Sequence, residues 1–193
     1  MGDRPFLSIL TRTYRRPFAL SQCMQSVREQ TDQDLEHLIL EDTVGVGVAE
    51  SHRLFLKAKP AGYYVMILDD DDLMATPGVV ADLHAVANEY RPDVIVFKMN
   101  NAELGILPDA LVWQHEPLPA RISGQNVAVR RHVWKACIPA ILGRDGVPCY
   151  ESDFLYLEEI WRRTRRIHWL DKIEVLVSRV NRGAMEGKHE DST

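Results

Sequence analysis

Gly62-Tyr63-Tyr64-Val65-Met66-Ile67-Leu68-Asp69-Asp70-Asp71-Asp72 runs an apolar segment straight into four consecutive carboxylates. Two like charges ~4 Å apart repel by about 4 kcal/mol at an effective dielectric near 20. A chain end that gathers such repulsion needs an offset. Solvent around a helix cap is one; a bound divalent cation is the other. The apolar half shows no polar alternation, as expected of a strand covered on both faces in a parallel sheet.

The flanking sequence repeats this strand-then-loop pattern. Phe6 to Thr11 reads as a first strand and Thr13 to Pro17 as a polar, basic loop. Residues 18–30 carry Phe18, Leu20, Cys23, Met24 and Val27 at helical spacing. Leu35 to Leu40 is a second strand ending in Glu41-Asp42, followed by a glycine-containing loop over 43–48. A helix is predicted over 50–59, stopped by Pro60. Another spans 77–90 with Pro77 in its first turn, and Asp93 to Lys98 is a fourth strand. Alternating strands and helices specify an α/β fold, a mostly parallel sheet with helices on both faces. Ligands of such sheets bind at the carboxyl ends of the strands. Three of those ends are polar here: Thr11-Arg12-Thr13, Glu41-Asp42 and Asp69 to Asp72.

The second half is less regular. Leu111-Val112-Trp113 reads as a short strand, and Ile122 to Val129 as a loop feeding a strand. Residues 131–142 read as helical with a break at Pro139, residues 153–166 as a helix, and Ile173 to Val180 as a last strand. The expected organisation is one domain over 1–182, its first 99 residues facing the ligand and 100–182 completing the site, with a polar tail over 183–193.

The chain has 193 residues, 46% hydrophobic and 26% charged, a globular composition. No apolar run approaches the roughly 18 residues of a membrane span, and no leader pattern opens the sequence. Cys23, Cys137 and Cys149 lack metal-type spacing and read as thiols of a reducing, cytoplasmic compartment. A net charge of −5 gives no global attraction to nucleic acid or anionic membrane.

These motifs resemble the family-2-like glycosyltransferases of the GT-A fold, over about residues 5–182. The family's Thr-Tyr-Asn-Arg loop is matched by Thr13-Tyr14-Arg15-Arg16, and its acidic pair after the second strand by Glu41-Asp42. Its helical Arg has a counterpart in Arg53, nine residues before Gly62, although His52 and Leu54 depart from the family's Ala-Arg-Asn. The segment from Gly62 to Asp72 matches the family's Gly-aromatic-strand-Asp-X-Asp-Asp, the most specific element of the set. Ser123-Gly124-Gln125-Asn126 before Arg130-Arg131 resembles the Gly-Asn segment. Glu151-Ser152-Asp153 resembles the Glu-Asp pair opening a helix, with the Glu displaced by one. The family's terminal Arg-X-His reads Arg179-Val180-Asn181 here; Asn181 or, in the tail, His189 takes the place of the missing His.

The resemblance implies a metal-dependent transferase that moves a sugar from a nucleotide-diphosphate donor, a UDP sugar first, to an acceptor hydroxyl. A saccharide is the leading acceptor, a nucleic acid the next. It implies nucleotide-sugar contacts from Thr11, Thr13, Tyr14, Arg16, Asp42, Arg53, Asp69 and Asp70. Mn²⁺ or Mg²⁺ would lie on Asp71 and Asp69, and Asp153 would be the base of an inverting reaction. In an extended segment Asp71, two residues after Asp69, points to the same side, and Asp70 points the other way. Each residue also has a structural reading: Asp69 to Asp72 as a solvated cap, Asp42 as a turn former, Asp153 as an N-cap, Arg53 and Arg162 to Arg166 as solvated helix faces. A non-catalytic nucleotide- or sugar-binding module of the same fold is the alternative function. A carboxylate-cluster phosphodiesterase is a weaker one, because no basic patch accompanies the acids.

Overall fold

A computed structural model describes residues 4–143, 145–147 and 152–177. Glu151, Asn181, His189, Cys149 and the tail therefore lie outside the described residues. The strands are β1 (Leu7–Thr13), β2 (Leu35–Glu41), β3 (Tyr64–Ile67), β4 (Asp72–Met74), β5 (Val94–Asn101), β6 (Gly105–Leu107), β7 (Val127–Arg130) and β8 (Ile167–Val177). The helices are α1 (Pro17–Arg28), α2 (Val48–Ser51), α3 (Arg53–Lys57), α4 (Val79–Tyr90), α5 (Arg131–Cys137) and α6 (Ser152–Arg163). The strands form one eight-stranded sheet in the order β2-β1-β3-β7-β5-β8-β4, with β6 paired to β5.

The expected α/β class and mostly parallel sheet hold: β1, β2, β3, β5 and β8 share one direction, and β4, β6 and β7 run against it. β2, β1 and β3 are parallel neighbours. β7 then enters antiparallel between β3 and β5. β8 runs parallel to β5, while β4 and β6 pair antiparallel at the far side. β1, β2 and β3 follow the predicted pattern, and β7 supplies the first reversal.

Alternation along the central strands sends side chains to two cores. Leu7, Ile9, Met66 and Phe97 join Cys23, Val27, Leu83 and Val86 of α1 and α4 on one face. Leu10, Val65, Ile67 and Val96 join Phe55, Trp134, Tyr156, Leu157 and Ile160 of α3, α5 and α6 on the other. Helices thus cover both faces, as the unbroken apolar run of β3 requires.

Gly62 shows why a glycine opens this run. Its backbone N–H donates to Ser8 Oγ at 2.8 Å. A β-carbon on Gly62 would press on the Ser8 backbone nitrogen. Ser8 Oγ in turn donates to Glu36 at 2.5 Å, and the Ala61 N–H reaches the same carboxylate. This close approach of backbones sets the register of β1, β2 and β3, and therefore levels their ends.

Several element boundaries differ from expectation. The predicted helix over 50–59 is α2 and α3, joined at His52, and Ala58 is already extended two residues before Pro60. Leu111 to Trp113 is a turn, not a strand: Asp109 accepts the Leu111 N–H with its carboxylate and the Val112 and Trp113 N–H groups with its carbonyl. The last strand begins at Ile167 and passes through register shifts opposite Lys98. The helix after Arg130 breaks at Ile138, one residue before Pro139, and continues as a 3₁₀ turn over Ile138–Leu142. No helix among the described residues is long and apolar enough to cross a membrane.

Candidate active site

The carboxyl ends of β1, β2 and β3 lie side by side. Leu68 N–H still bonds to Leu10 O at 3.0 Å beyond the end of β3, and Asp42 N–H bonds to Thr13 O at 2.8 Å beyond β2. After Leu68 the chain turns, with Asp72 N–H bonded back to Asp69 O at 3.1 Å. This turn corrects the orientation expected of the acids. Period-two alternation applies to an extended chain, and residues 69–71 are not extended. Asp70 and Asp71 therefore share one partner, and Asp69 faces another set.

Asp69 Oδ1 accepts from Arg12 Nε at 3.3 Å, and its Oδ2 from the Gln125 amide at 3.0 Å. Asp70, 2% exposed, accepts from Thr13 Oγ1 at 2.6 Å and from Arg16 Nη1 at 3.3 Å. The same Arg16 nitrogen donates to Asp71 Oδ2 at 2.8 Å. Asp72 has left the group for β4 and is buried. Burial pushes the Asp70 carboxyl up, against the hydrogen bond from Thr13 and the charge of Arg16.

Asp153 enters from the first turn of α6. Its Oδ1 accepts the Phe154 N–H at 2.8 Å. Burial raises its pKa; the backbone N–H groups of Phe154 and Gly124 oppose this, and the charge of Asp69 adds to it. Gly124 packs on Asp153: a β-carbon at Gly124 would lie 3.6 Å from that of Asp153. Gln125 is its chain neighbour, so one short turn joins Asp153 to Asp69.

Thr13, Arg16, Asp69, Asp70, Asp71 and Asp153 are thus gathered around one acid turn. Other candidates stand elsewhere. Thr11 is fully buried, its hydroxyl paired with His37 Nε2 at 2.8 Å. β1 runs on to Thr13, so Thr11 sits below the strand end rather than at it. Asp42 organises its own loop: Oδ1 accepts from Val44 at 3.0 Å and Gly45 at 2.7 Å, and Oδ2 from Val46 at 2.8 Å. Tyr14 lies on that loop, because a β-carbon at Gly45 would overlap its ring. Arg53 pairs with Glu50 and donates to Gly146 O at 3.0 Å.

Two contributors escaped the sequence reading. Arg12 reaches Asp69 and also donates to Val48 O at 2.9 Å and Ser51 Oγ at 3.0 Å, tying α2 to the acid turn. The signal was strand alternation: with Thr11 and Thr13 on one face, Arg12 must occupy the other. Gln125 carried no such signal, since nothing in Ser-Gly-Gln-Asn separates it from a turn residue.

The donor set fits a hard cation in one specific sense. It is all carboxylate oxygen, and the acids outnumber the guanidiniums of Arg12 and Arg16. Among the described residues, Arg16 is the only partner of Asp71 and takes one of its oxygens. No three acidic, histidine or cysteine side chains among the described residues form a closed metal cage. Mg²⁺-type ions are held by one or two carboxylates and completed by substrate phosphates and waters, which this arrangement matches.

No protein-family model matches the sequence, and no curated protein does. Solved structures do. The chain is similar to the crystal structure of Staphylococcus aureus TarS 1–349, with 17% identity, a TM-score of 0.65 and coverage of 90% of this chain and 60% of that one. The same protein in complex with UDP-GlcNAc gives 17% identity, a TM-score of 0.65, and coverage of 94% and 61%. A mannosyltransferase from Pyrobaculum calidifontis, in complex with GDP-Man and Mn²⁺, gives 15% identity, a TM-score of 0.60, and coverage of 94% and 59%. The chain spans about 60% of the length of these structures. The likeness shows the GT-A-like fold.

Proposed function

We propose that this chain is a metal-dependent glycosyltransferase. It moves a sugar from a nucleotide-diphosphate donor, UDP-linked first, to a saccharide hydroxyl with inversion. One observation carries the reading: the acid turn after β3, backed by Arg12 and Arg16, stands opposite Asp153 across the Gly124-Gln125 turn. Structures of like fold hold UDP-GlcNAc in one case and GDP-Man with Mn²⁺ in another, which supports this class of donor.

Asp71 and Asp69 would hold the cation, which when bound supplies the positive charge that neutralises the leaving diphosphate. The chain's own residues supply the rest. Arg16 keeps Asp70 and Asp71 in place, and Arg12 keeps Asp69. Asp153 takes the proton of the acceptor hydroxyl as its oxygen bonds to the anomeric carbon and the bond from that carbon to the diphosphate oxygen breaks. The desolvation that raises its pKa also makes Asp153 a stronger base than an exposed aspartate. One base, with no second nucleophile assigned beside it among the described residues, favours inversion. Thr13 orients Asp70, and Tyr14 shapes the donor side of the crevice through its contact with the 42–47 loop.

Calorimetric titration of UDP, GDP, dTDP and CDP, with and without Mn²⁺, tests the donor site. One nucleotide should bind only with metal, and Asp71→Ala should lose that binding. Asp153→Asn should keep nucleotide affinity and lose transfer by about 10²–10⁴-fold. Binding of no nucleotide under any condition would remove the donor-site reading.

A further inference from the structure

We propose that Gln125 reads the sugar of the donor: its amide nitrogen donates to Asp69, while its carbonyl oxygen accepts a hydrogen bond from a hydroxyl of the bound glycosyl group. The inference rests on the donor-site reading above and deepens it.

Gln125 is 8% exposed, yet its Oε1 has no hydrogen-bond partner among the described residues. Native folds rarely keep a buried acceptor unpaired without a use. The amide cannot be reversed to remove the problem. Its Nε2 donates to Asp69 Oδ2 at 3.0 Å, and a carbonyl in that place would face a carboxylate.

The backbone beneath it is fixed on both sides. Asn126 donates to Phe97 O at 3.0 Å and to Leu107 O at 3.1 Å, and its Oδ1 accepts the Ser123 N–H at 2.9 Å. Gly124 rests against Asp153. Gln125 is therefore a rigid residue between the candidate base and the candidate metal-side acid.

The missing partner must be a donor. Diphosphate oxygens only accept. A cation on Asp69 Oδ2 would meet the amide hydrogens first, because the carbonyl diverges from the N–H that touches the carboxylate. The group lying between Asp69 and the base is the one that carries the reacting carbon. That group is the sugar, and its hydroxyls donate.

The test compares UDP with UDP-GlcNAc and UDP-glucose, and GDP with GDP-mannose, by calorimetry in Mn²⁺. Gln125→Met keeps the side-chain length and removes both amide functions. It should weaken the sugar nucleotide by about tenfold more than it weakens the plain diphosphate. Donors lacking single hydroxyls supply a second measurement on wild-type protein. One deoxy position should cost about tenfold in wild type and nothing in Gln125→Met. Equal losses for diphosphate and sugar nucleotide would make Gln125 only a support of Asp69 and overturn the proposal. So would indifference of wild type to every deoxy donor. In both cases wild type still binds the diphosphate, so the donor-site reading stands; if wild type binds no nucleotide, both fall together.

Discussion

At the scale of single residues, the fold shifts the acidity of Asp153, the proposed base. Its carboxyl is raised above the ordinary aspartate value of 3.8, first by burial and then by the nearby charge of Asp69. The Phe154 and Gly124 N–H groups and the Ser123 hydroxyl pull the other way without winning. In metal-free protein, an NMR titration of the Asp153 carboxyl should therefore give a midpoint above 3.8, and Asp69→Asn should lower it. A midpoint unmoved by that substitution would place the two carboxylates too far apart to share one substrate. Asp153 was singled out by its resemblance to the family's acid at a helix start, and it does lie in the first turn of α6. Arg53 was singled out in the same way, and its contacts are different. Its spacing from Gly62 matched the resemblance, but α3 turns it toward Glu50 and Gly146, and the guanidiniums that meet the acids come from β1 and the loop after it. Spacing along a chain fixes position in a helix, not which neighbour a long side chain finds.

At the scale of elements, the loop after β2 is built from side-chain contacts rather than from regular structure. Asp42 gathers three backbone N–H groups, and Gly45, with φ of +83°, lies under the Tyr14 ring. A Gly45→Ala substitution meets two obstacles: a left-handed backbone, which costs a non-glycine residue about 1 kcal/mol or more, and overlap with the ring. Urea unfolding should show a loss of about 1–3 kcal/mol, together with weaker nucleotide binding. Adding Tyr14→Ala removes the overlap but not the backbone cost, so the double variant should recover part of the stability. Full recovery would mean that the backbone at Gly45 is unstrained. The elements that sequence reading found are those with long, clean periodicity, such as α1, α4, β1 and β3. It missed β4 and β6, three residues each, because so short a strand has no period to detect. It shortened β8 because Asp171 and Lys172 interrupt the apolar pattern and the register shifts opposite Lys98. It read Leu111 to Trp113 as extended because the Asp109 side chain that curls them is a local competitor invisible to apolar patterning.

At the scale of the whole molecule, the sheet buries an acid, Glu174, that the proposed chemistry does not use. Glu174 on β8 is 1% exposed, and its Oε1 has no partner among the described residues. Burial, with the charge of Asp82 on α4 adding and Lys172 opposing, pushes its carboxyl from 4.5 up to about 7. The folded protein therefore holds a proton that the unfolded chain releases. The stabilisation from that proton is complete below pH 4.5 and is lost as pH rises through about 7. His37 and His52 act in the opposite sense. Burial lowers both to about 4, so their contribution is complete above the ordinary 6.5 and is lost as pH falls toward 4. Wild-type stability should rise from acid toward pH 6.5 under the histidines, and Glu174 should flatten that rise and turn it down near pH 7. Glu174→Gln keeps the shape of the side chain and removes the titration. Its stability relative to wild type should grow between pH 4.5 and pH 7.5 by on the order of 2–3 kcal/mol. Urea unfolding of both proteins across that range measures the difference directly. A constant difference would mean that Glu174 ionises freely in the fold. The location gives this titration reach: Glu174 O accepts the Ala75 N–H at 2.9 Å, and β4 pairs with β8 from Asp72 to Met74. The strand that leaves the acid turn is thus anchored on the segment whose charge changes near neutral pH.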